Sequence, residues 1–240
     1  MRATVAVLSL MLVGLSGAAF AAADCHPKID PKAAQYIVGY GSLMEKASKD
    51  RTAPDTGANL PVMVTGYERS WSLRGSGAGF GTTYLGVQAK DDAMMVAALY
   101  RVFAGEDVSA TDQREAYYCR EKVDPGALRM LDGSTVPDKG QIWIYVSKPE
   151  AVDPPDADYP IAQSYVDLFL TGCLQLAERV VGQNEDFAKQ CITTTAGWSP
   201  HWVNDRLLPR RPFIHQPNAA EIDRLLFENV PEEFSKIRIE

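Results

Sequence analysis

The order of its elements predicts an α+β fold. Strand patterns fill the first part of the chain and amphipathic helix patterns the last, and the two do not alternate. Glycine- and aspartate-rich breaks separate the strand candidates, so the sheet is expected to be antiparallel or mixed, open or closed into a barrel, and not a doubly wound dinucleotide fold. The chain has 240 residues, enough for one domain or at most two small ones. At 46% hydrophobic and 23% charged residues it has a globular composition, which excludes disorder and collagen-like repeats. A net charge of −7 with no Lys/Arg cluster speaks against a nucleic-acid partner.

Taken in order, residues 24–35 are polar with two prolines and read as a surface arm. Tyr36 to Tyr40 is a short apolar strand that ends in Gly41-Ser42-Leu43, and Glu45 to Asn59 reads as a charged loop. Val62 to Tyr67 and the alternating Ser70 to Leu73 are strand candidates, followed by a loop with glycines at 75, 77, 79 and 81. Thr82 to Val87 and Ala93 to Phe103 are strands, with Asp91-Asp92 expected as the turn between them. Ser109 with Asp112 predicts a short helix start, and that helix carries Glu115. Tyr117 to Val123 and Gln141 to Val146 return to strand, and Lys148 to Pro160, with four prolines, is a connector. Ile161, Tyr165, Leu168, Phe169, Gly172, Leu176 and Val180 recur at helical spacing. Asp186 to Thr193 predicts a second helix, and Asn218 with Glu221 predicts a capped last helix reaching about Glu228.

The N-terminus has a different character. Arg2, an apolar run of 11 residues from Val5 to Leu15, and two A-x-A sites at Ala19 to Ala23 predict a secretory signal peptide over 1–23. The run is too short to span a bilayer, and Asp24 before Cys25 does not fit a lipoprotein site. Loss of Arg2 takes the net charge from −7 to −8. The expected compartment is exported, in the periplasm, with no membrane partner after cleavage.

Cys25, Cys119, Cys173 and Cys191 then lie in an oxidising setting that permits disulfides. Cys173 and Cys191 lie nine residues either side of Gly182, which with Gln183-Asn184 reads as the turn of a helical hairpin. Positions equidistant from such a turn sit side by side, which favours Cys173–Cys191 and leaves Cys25–Cys119. Two buried, reduced cysteines at 173 and 191 are the alternative.

Several chemistries lack their residues. The glycine loop does not fit G-x-G-x-x-G, and no P-loop lysine is present. Ser42 is not in a G-x-S-x-G elbow, His26, His201 and His215 offer no triad base near it, and neither C-x-x-C nor paired metal-ligand histidines occur. What remains is the strand-to-turn corner Tyr40-Gly41-Ser42-Leu43 and Glu115. A glycine-bearing corner exposes consecutive N–H groups that can hold an anion. A glutamate among aromatic residues is suited to proton transfer near neutrality.

Val38-Gly39-Tyr40-Gly41-Ser42-Leu43-Met44 resembles the Y-G-S/T-x-L signature of the gamma-glutamylcyclotransferase-like proteins. Leu99 to Phe103 with Asp112-Gln113-Arg114-Glu115 resembles the strand and acidic turn that carry that family's catalytic glutamate, and Gln141 to Val146 its closing strand, with Tyr145 where tyrosine is common. The resemblance covers Tyr36 to Val146. It implies a mixed β-barrel or sheet with flanking helices in 24–146, and a C-terminal helical extension in 147–240 packed on the same domain. Residues 193–198 and 202–206 resemble such extensions in some bacterial members. Met44 stands where the glutathione-specific branch carries tryptophan.

The activity implied is release of 5-oxoproline from a γ-glutamyl amino acid or amine, by attack of the substrate's α-amine on its own γ-carbonyl. Glu115 would be the general acid/base. Tyr40, Gly41, Ser42 and Leu43 would hold the γ-glutamyl end, with Tyr118 and Tyr145 as pocket walls or donors. No cofactor or metal is implied, and the partner is a small γ-glutamyl substrate. Asp205 and Arg206 are expected to pair and seat the tail, and Trp198 and Trp202 to lie in the core. The competing expectation is a non-catalytic exported module that binds γ-glutamyl or peptidoglycan-derived ligands.

Overall fold

A computed structural model describes residues 25–76, 79–103, 105–182, 186–210 and 218–240. The expected signal peptide, His215, Gly77 and the Gln183-Asn184 pair lie outside the described residues.

The apolar strand β1 (Gln35–Gly39) sits at the centre of the sheet. It runs antiparallel to β3 (Thr82–Val102), with Val38 opposite Leu99, and parallel to β6 (Gln141–Ser147), with Ile37 opposite Trp143. A central strand covered on both faces needs no polar alternation, which is why QYIVG is almost wholly buried. β2 (Leu60–Gly75) pairs with β3 along most of its length, and β4 (Tyr118–Lys122) borders β6. β5 (Leu128–Met130) adds to β2. Among the described residues ten strands join in one mixed sheet, flanked by helices. The expected α+β class with a mixed sheet is the one observed.

The last third of the chain joins the same sheet. β7 (Ile161–Ala162) lies beside β3, β8 (Thr195–Ala196) beside β2, and β9 (Trp202–Asn204) and β10 (Arg238–Ile239) follow outward from β7. Helices α3 (Gln163–Ala177), α4 (Phe187–Thr193), α5 (Ala219–Asn229) and α6 (Pro231–Phe234) cover this side. Two apolar clusters result. One joins Ile37, Val62, Val87, Leu99, Trp143 and Ile144 across the strands. The other packs Trp71, Leu85 and Val96 against Phe169, Leu170, Ile192 and Leu226 of the helices.

Some boundaries differ from expectation, each for a local reason. Asp91 and Asp92 do not separate two strands. They lie within β3, where the ladder to β2 passes from Ala89 to Met94 opposite Tyr67 and Thr65, so both carboxylates point out from an irregularity with Gly66 at φ 80° on the facing strand. Val62 to Tyr67 and Ser70 to Leu73 are likewise one strand. The charged loop after the turn contains a short helix, α1 (Lys46–Asp50), because the Glu45 carboxylate accepts from Ala47 N at 3.0 Å and Ser48 N at 2.6 Å. α2 (Gly105–Arg114) begins before Ser109 and ends at Arg114, so Glu115 follows the helix. Ile161 and Ala162 are strand, not the first turn of α3. The Asn218 side chain makes no cap hydrogen bond at α5.

Asp205 and Arg206 do not pair with each other. Asp205 accepts from Ser164 N and Oγ at 2.7 and 2.6 Å, and Arg206 bridges Asp167 and Asp223 at 2.7 to 2.8 Å. Both side chains tie the tail to α3, Asp205 at Ser164 and Arg206 at Asp167, and Arg206 also reaches α5 at Asp223. Trp202 is fully buried, and Trp198 stacks on it with ring centroids 5.2 Å apart while remaining half-buried. All four cysteines are bonded: Cys25–Cys119 pins the arm to β4, and Cys173–Cys191 joins α3 to α4.

A tyrosine-lined cavity at the end of the central strand

Where β1 ends, the chain turns sharply. Met44 N donates to Gly41 O at 2.9 Å and closes the corner. Gly41 is required there by close approach, since a Cβ would lie 2.9 Å from the Tyr165 hydroxyl. Among the described residues no protein acceptor takes the N–H of Ser42 or Leu43. Donors without a protein acceptor are what the corner was expected to offer an anion.

The corner forms one wall of a cavity of about 200 Å³. Tyr40, Gly41, Ser42, Leu43, Glu115, Tyr118 and Tyr145 all line it, so the structure brings together every expected substrate-site and catalytic residue. Leu73, Tyr84 and Leu85 from the β2–β3 ribbon, Arg114 and Tyr117 beside Glu115, and Tyr165 from α3 complete it. Histidines take no part among the described residues.

The tyrosines are walls whose hydroxyls are already committed. Tyr40 Oη donates to Tyr145 O at 2.6 Å, Tyr118 Oη to Leu85 O at 2.9 Å, and Tyr145 Oη to Asp112 Oδ1 at 2.7 Å. Burial, with Glu115 adding a smaller repulsive contribution, holds the Tyr40 phenol well above its usual range. Burial also raises Tyr118, and burial with the Asp112 hydrogen bond raises Tyr145. All three stay neutral, which keeps anionic charge in the cavity to the carboxylate.

Glu115 lies in the turn between α2 and β4, fixed by its backbone: Glu115 N donates to Thr111 O at 2.9 Å and Tyr118 N to Glu115 O at 2.9 Å. Its side chain, 13% exposed, has an oxygen 3.3 Å from Arg114 Nε. Arg114 is a clamp that sequence reasoning passed over. Its remaining nitrogens reach Ser42 Oγ at 2.9 Å, Ser48 O and Oγ at 2.8 and 3.0 Å, and Thr52 Oγ1 at 2.9 Å. One guanidinium therefore links the carboxylate, the corner and α1. The motif quoted Arg114 only as a neighbour of Glu115, and nothing in its spacing pointed to residue 42.

Arg69 was missed for the same reason. It is fully buried behind the corner and donates to Tyr40 O at 3.2 Å, Val96 O at 2.7 Å and Cys191 O at 2.8 Å. It also reaches the hydroxyls of Thr195 at 2.7 Å and Thr194 at 3.2 Å, and covers the Phe169 ring at 4.7 Å. Burial pushes the guanidinium down to about 9, still charged at neutral pH. Among the described residues no group of three or more His, Cys, Asp or Glu is placed to hold a metal ion.

Fold and site together define a class: an α+β protein whose mixed sheet and flanking helices enclose a tyrosine-lined cavity carrying a glutamate–arginine pair. No family model matches the chain, and no curated protein matches it. Solved structures do. The uncharacterized human protein loc79017 matches with a TM-score of 0.50 at 9% identity, over 66% of this chain and 86% of its own. A structure described as gamma-glutamyl cyclotransferase matches with 0.49 at 8% identity, over 64% and 91%. A yeast gamma-glutamyl cyclotransferase specific to glutathione matches with 0.44 at 11% identity, over 68% and 96%. The first of these, at 9% identity, is a likeness of fold.

Proposed function

We propose that the protein is a γ-glutamyl cyclotransferase that releases 5-oxoproline from a γ-glutamyl amino acid or amine. The observation that carries this reading is the placement of Glu115 in one cavity with the Tyr40–Leu43 corner, from segments more than 70 residues apart in sequence. The motif resemblance supplies the reaction, and the cavity supplies a place for it.

In this reaction the nucleophile and the electrophile belong to one molecule, so catalysis rests on folding the substrate into attack geometry and moving one proton. The corner holds the glutamyl end through backbone groups. The Glu115 carboxylate takes a proton from the α-amine as its nitrogen bonds to the γ-carbonyl carbon. The amide C–N bond then breaks, and Glu115 returns the proton to the leaving amine. Arg114 fixes the carboxylate throughout, and the aromatic walls keep water from competing with the amine. The Cys25–Cys119 and Cys173–Cys191 bonds support an exported, periplasmic setting. We assign catalysis to 24–146, with 147–240 as its extension, lending Tyr165 to the cavity.

The test is a panel of γ-glutamyl amino acids, γ-glutamyl amines and glutathione incubated with the disulfide-bonded chain from Asp24, assayed for 5-oxoproline. Product from at least one γ-glutamyl compound is expected, and the best substrate names the leaving group. Binding of panel compounds without turnover would identify a non-catalytic binding module.

A further inference from the structure

Asp112 stands in an unfavourable place for an aspartate. It lies in the last turn of α2, where the unpaired carbonyls carry partial negative charge and a carboxylate weakens the helix. What holds it there comes from the sheet. Arg120 of β4 and Tyr145 of β6 are directly opposed in the β4–β6 ladder, so their side chains share a face. Both converge on one oxygen: Arg120 Nε donates to Asp112 Oδ1 at 3.0 Å, and Tyr145 Oη donates to it at 2.7 Å. Arg120 is itself fixed. Its guanidinium lies 4.4 Å from the centre of the Trp143 ring, and its Nη2 donates at 2.8 Å to Pro27 O in the disulfide-bonded arm. The Arg120 side chain is 3% exposed and that of Asp112 20%, so solvent screens this pair little.

Glu115 follows three residues later. Its N–H donates to Thr111 O, and its carbonyl accepts from Tyr118 N, each at 2.9 Å. The carbonyl of the peptide that leads into Asp112 therefore carries the backbone of the glutamate. Arg114 clamps the other flank, reaching Ser42 Oγ and Ser48 O. The two anchors act at different atoms. Arg114 meets the Glu115 carboxylate itself, whereas Asp112 fixes the backbone from which that side chain springs.

We propose that Asp112 is a positioning residue for Glu115. It ties the end of α2 to the Arg120–Tyr145 pair and so sets the point from which the carboxylate enters the cavity. Asp112 does not itself line the cavity and acts only through the turn. Its part in turnover rests on the proposed function, whereas its part in holding the turn does not. Through Arg120 the same anchor extends to Cys25 and Pro27, which makes the start of the arm a support of the site.

The experiment measures steady-state 5-oxoproline release, and the exchange of the Glu115 and Tyr118 amide hydrogens by NMR, on the disulfide-bonded chain from Asp24 and its variants below their unfolding temperatures. Asp112→Ala is expected to lower kcat on the order of 100-fold with KM little changed, the cost of a catalytic group misplaced by about an ångström. Both amides should exchange about tenfold faster or more, while those of β1 stay protected. Asp112→Asn keeps an oxygen that accepts from Arg120 and Tyr145, and should restore most of both. Asp223→Asn weakens a comparable pair with Arg206 away from the cavity, and should cost stability but move neither readout. Wild-type kcat in folded Asp112→Ala overturns the inference, as does a change confined to KM or a lower kcat with exchange unchanged. An equal loss of kcat in Asp223→Asn also overturns it, by assigning the effect to general destabilisation. Where Asp112→Ala does not fold, Tyr145→Phe removes the shorter anchor bond, and unchanged exchange in that variant overturns the inference. If the wild type releases no 5-oxoproline, the proposed function falls and exchange alone decides: faster exchange in Asp112→Ala upholds the anchor, and unchanged exchange removes it.

Discussion

Gly41 shows how one missing atom shapes the cavity. An added Cβ would press on the Tyr165 hydroxyl at 2.9 Å, and Tyr165 is hemmed in by Trp71 and Tyr84 with ring centroids 5.8 and 5.1 Å away. Gly41→Ala is expected to lower kcat/KM about tenfold by displacing the corner, and Tyr165→Phe in the same chain to recover most of the loss; additive effects in that cycle would contradict the contact. Arg114→Gln is expected to lower kcat about 100-fold with KM little changed, since misplacing a catalytic group by a fraction of an ångström to an ångström is enough for that. A KM effect alone would move Arg114 from positioning to ground-state binding. The corner and Glu115 were legible because each sits in a short local pattern. Arg69 and Arg114 were not, because their partners lie up to 126 and 72 residues away in sequence. An arginine in an amphipathic stretch reads as surface until the fold shows otherwise.

At the scale of elements, the strands with strong apolar patterns, β1 and β6, were legible to within two residues. The short strands β7 to β10 were not, because two or three residues hold strand geometry only through partners supplied by the sheet. The arm is tied down by the Cys25–Cys119 bond, by Arg120 N donating to Cys25 O at 2.8 Å, and by Arg120 Nη2 donating to Pro27 O at 2.8 Å. On the chain-entropy account a crosslink over 94 residues stabilises more than one over 18. Replacing Cys25 and Cys119 by serine should therefore cost about 4.7 kcal/mol and replacing Cys173 and Cys191 about 3 kcal/mol in urea unfolding, with the reverse order contradicting that account. α1 offers a pH signature. Lys49 is buried against Tyr100, its ammonium donating to Gly57 O at 2.6 Å, and burial lowers it from its ordinary 10.5. Between the lowered value and 10.5 the unfolded chain binds more protons, so stability rises with pH in that window. Lys49→Met should flatten that rise in thermal unfolding followed across alkaline pH.

For the whole molecule, the sheet and the C-terminal helices share one apolar cluster. β7 lies directly on β3, and Trp71, Leu85 and Val96 are covered by α3, α4 and α5. A chain ended at Ser147 is expected to lose cooperative unfolding and to bind hydrophobic dye, whereas a sharp unfolding transition would show that 24–146 folds alone. The strand-first, helix-last order was legible as α+β, but composition held no signal that the extension would re-enter the sheet. The account's central claim is that Glu115 moves the proton in an intramolecular cyclisation. The most direct measurement is 5-oxoproline release by the wild type and by Glu115→Gln, compared at equal unfolding temperatures. The account predicts product from the wild type and loss of turnover in Glu115→Gln with stability unchanged. Product from a fully folded Glu115→Gln protein at the wild-type rate would contradict it.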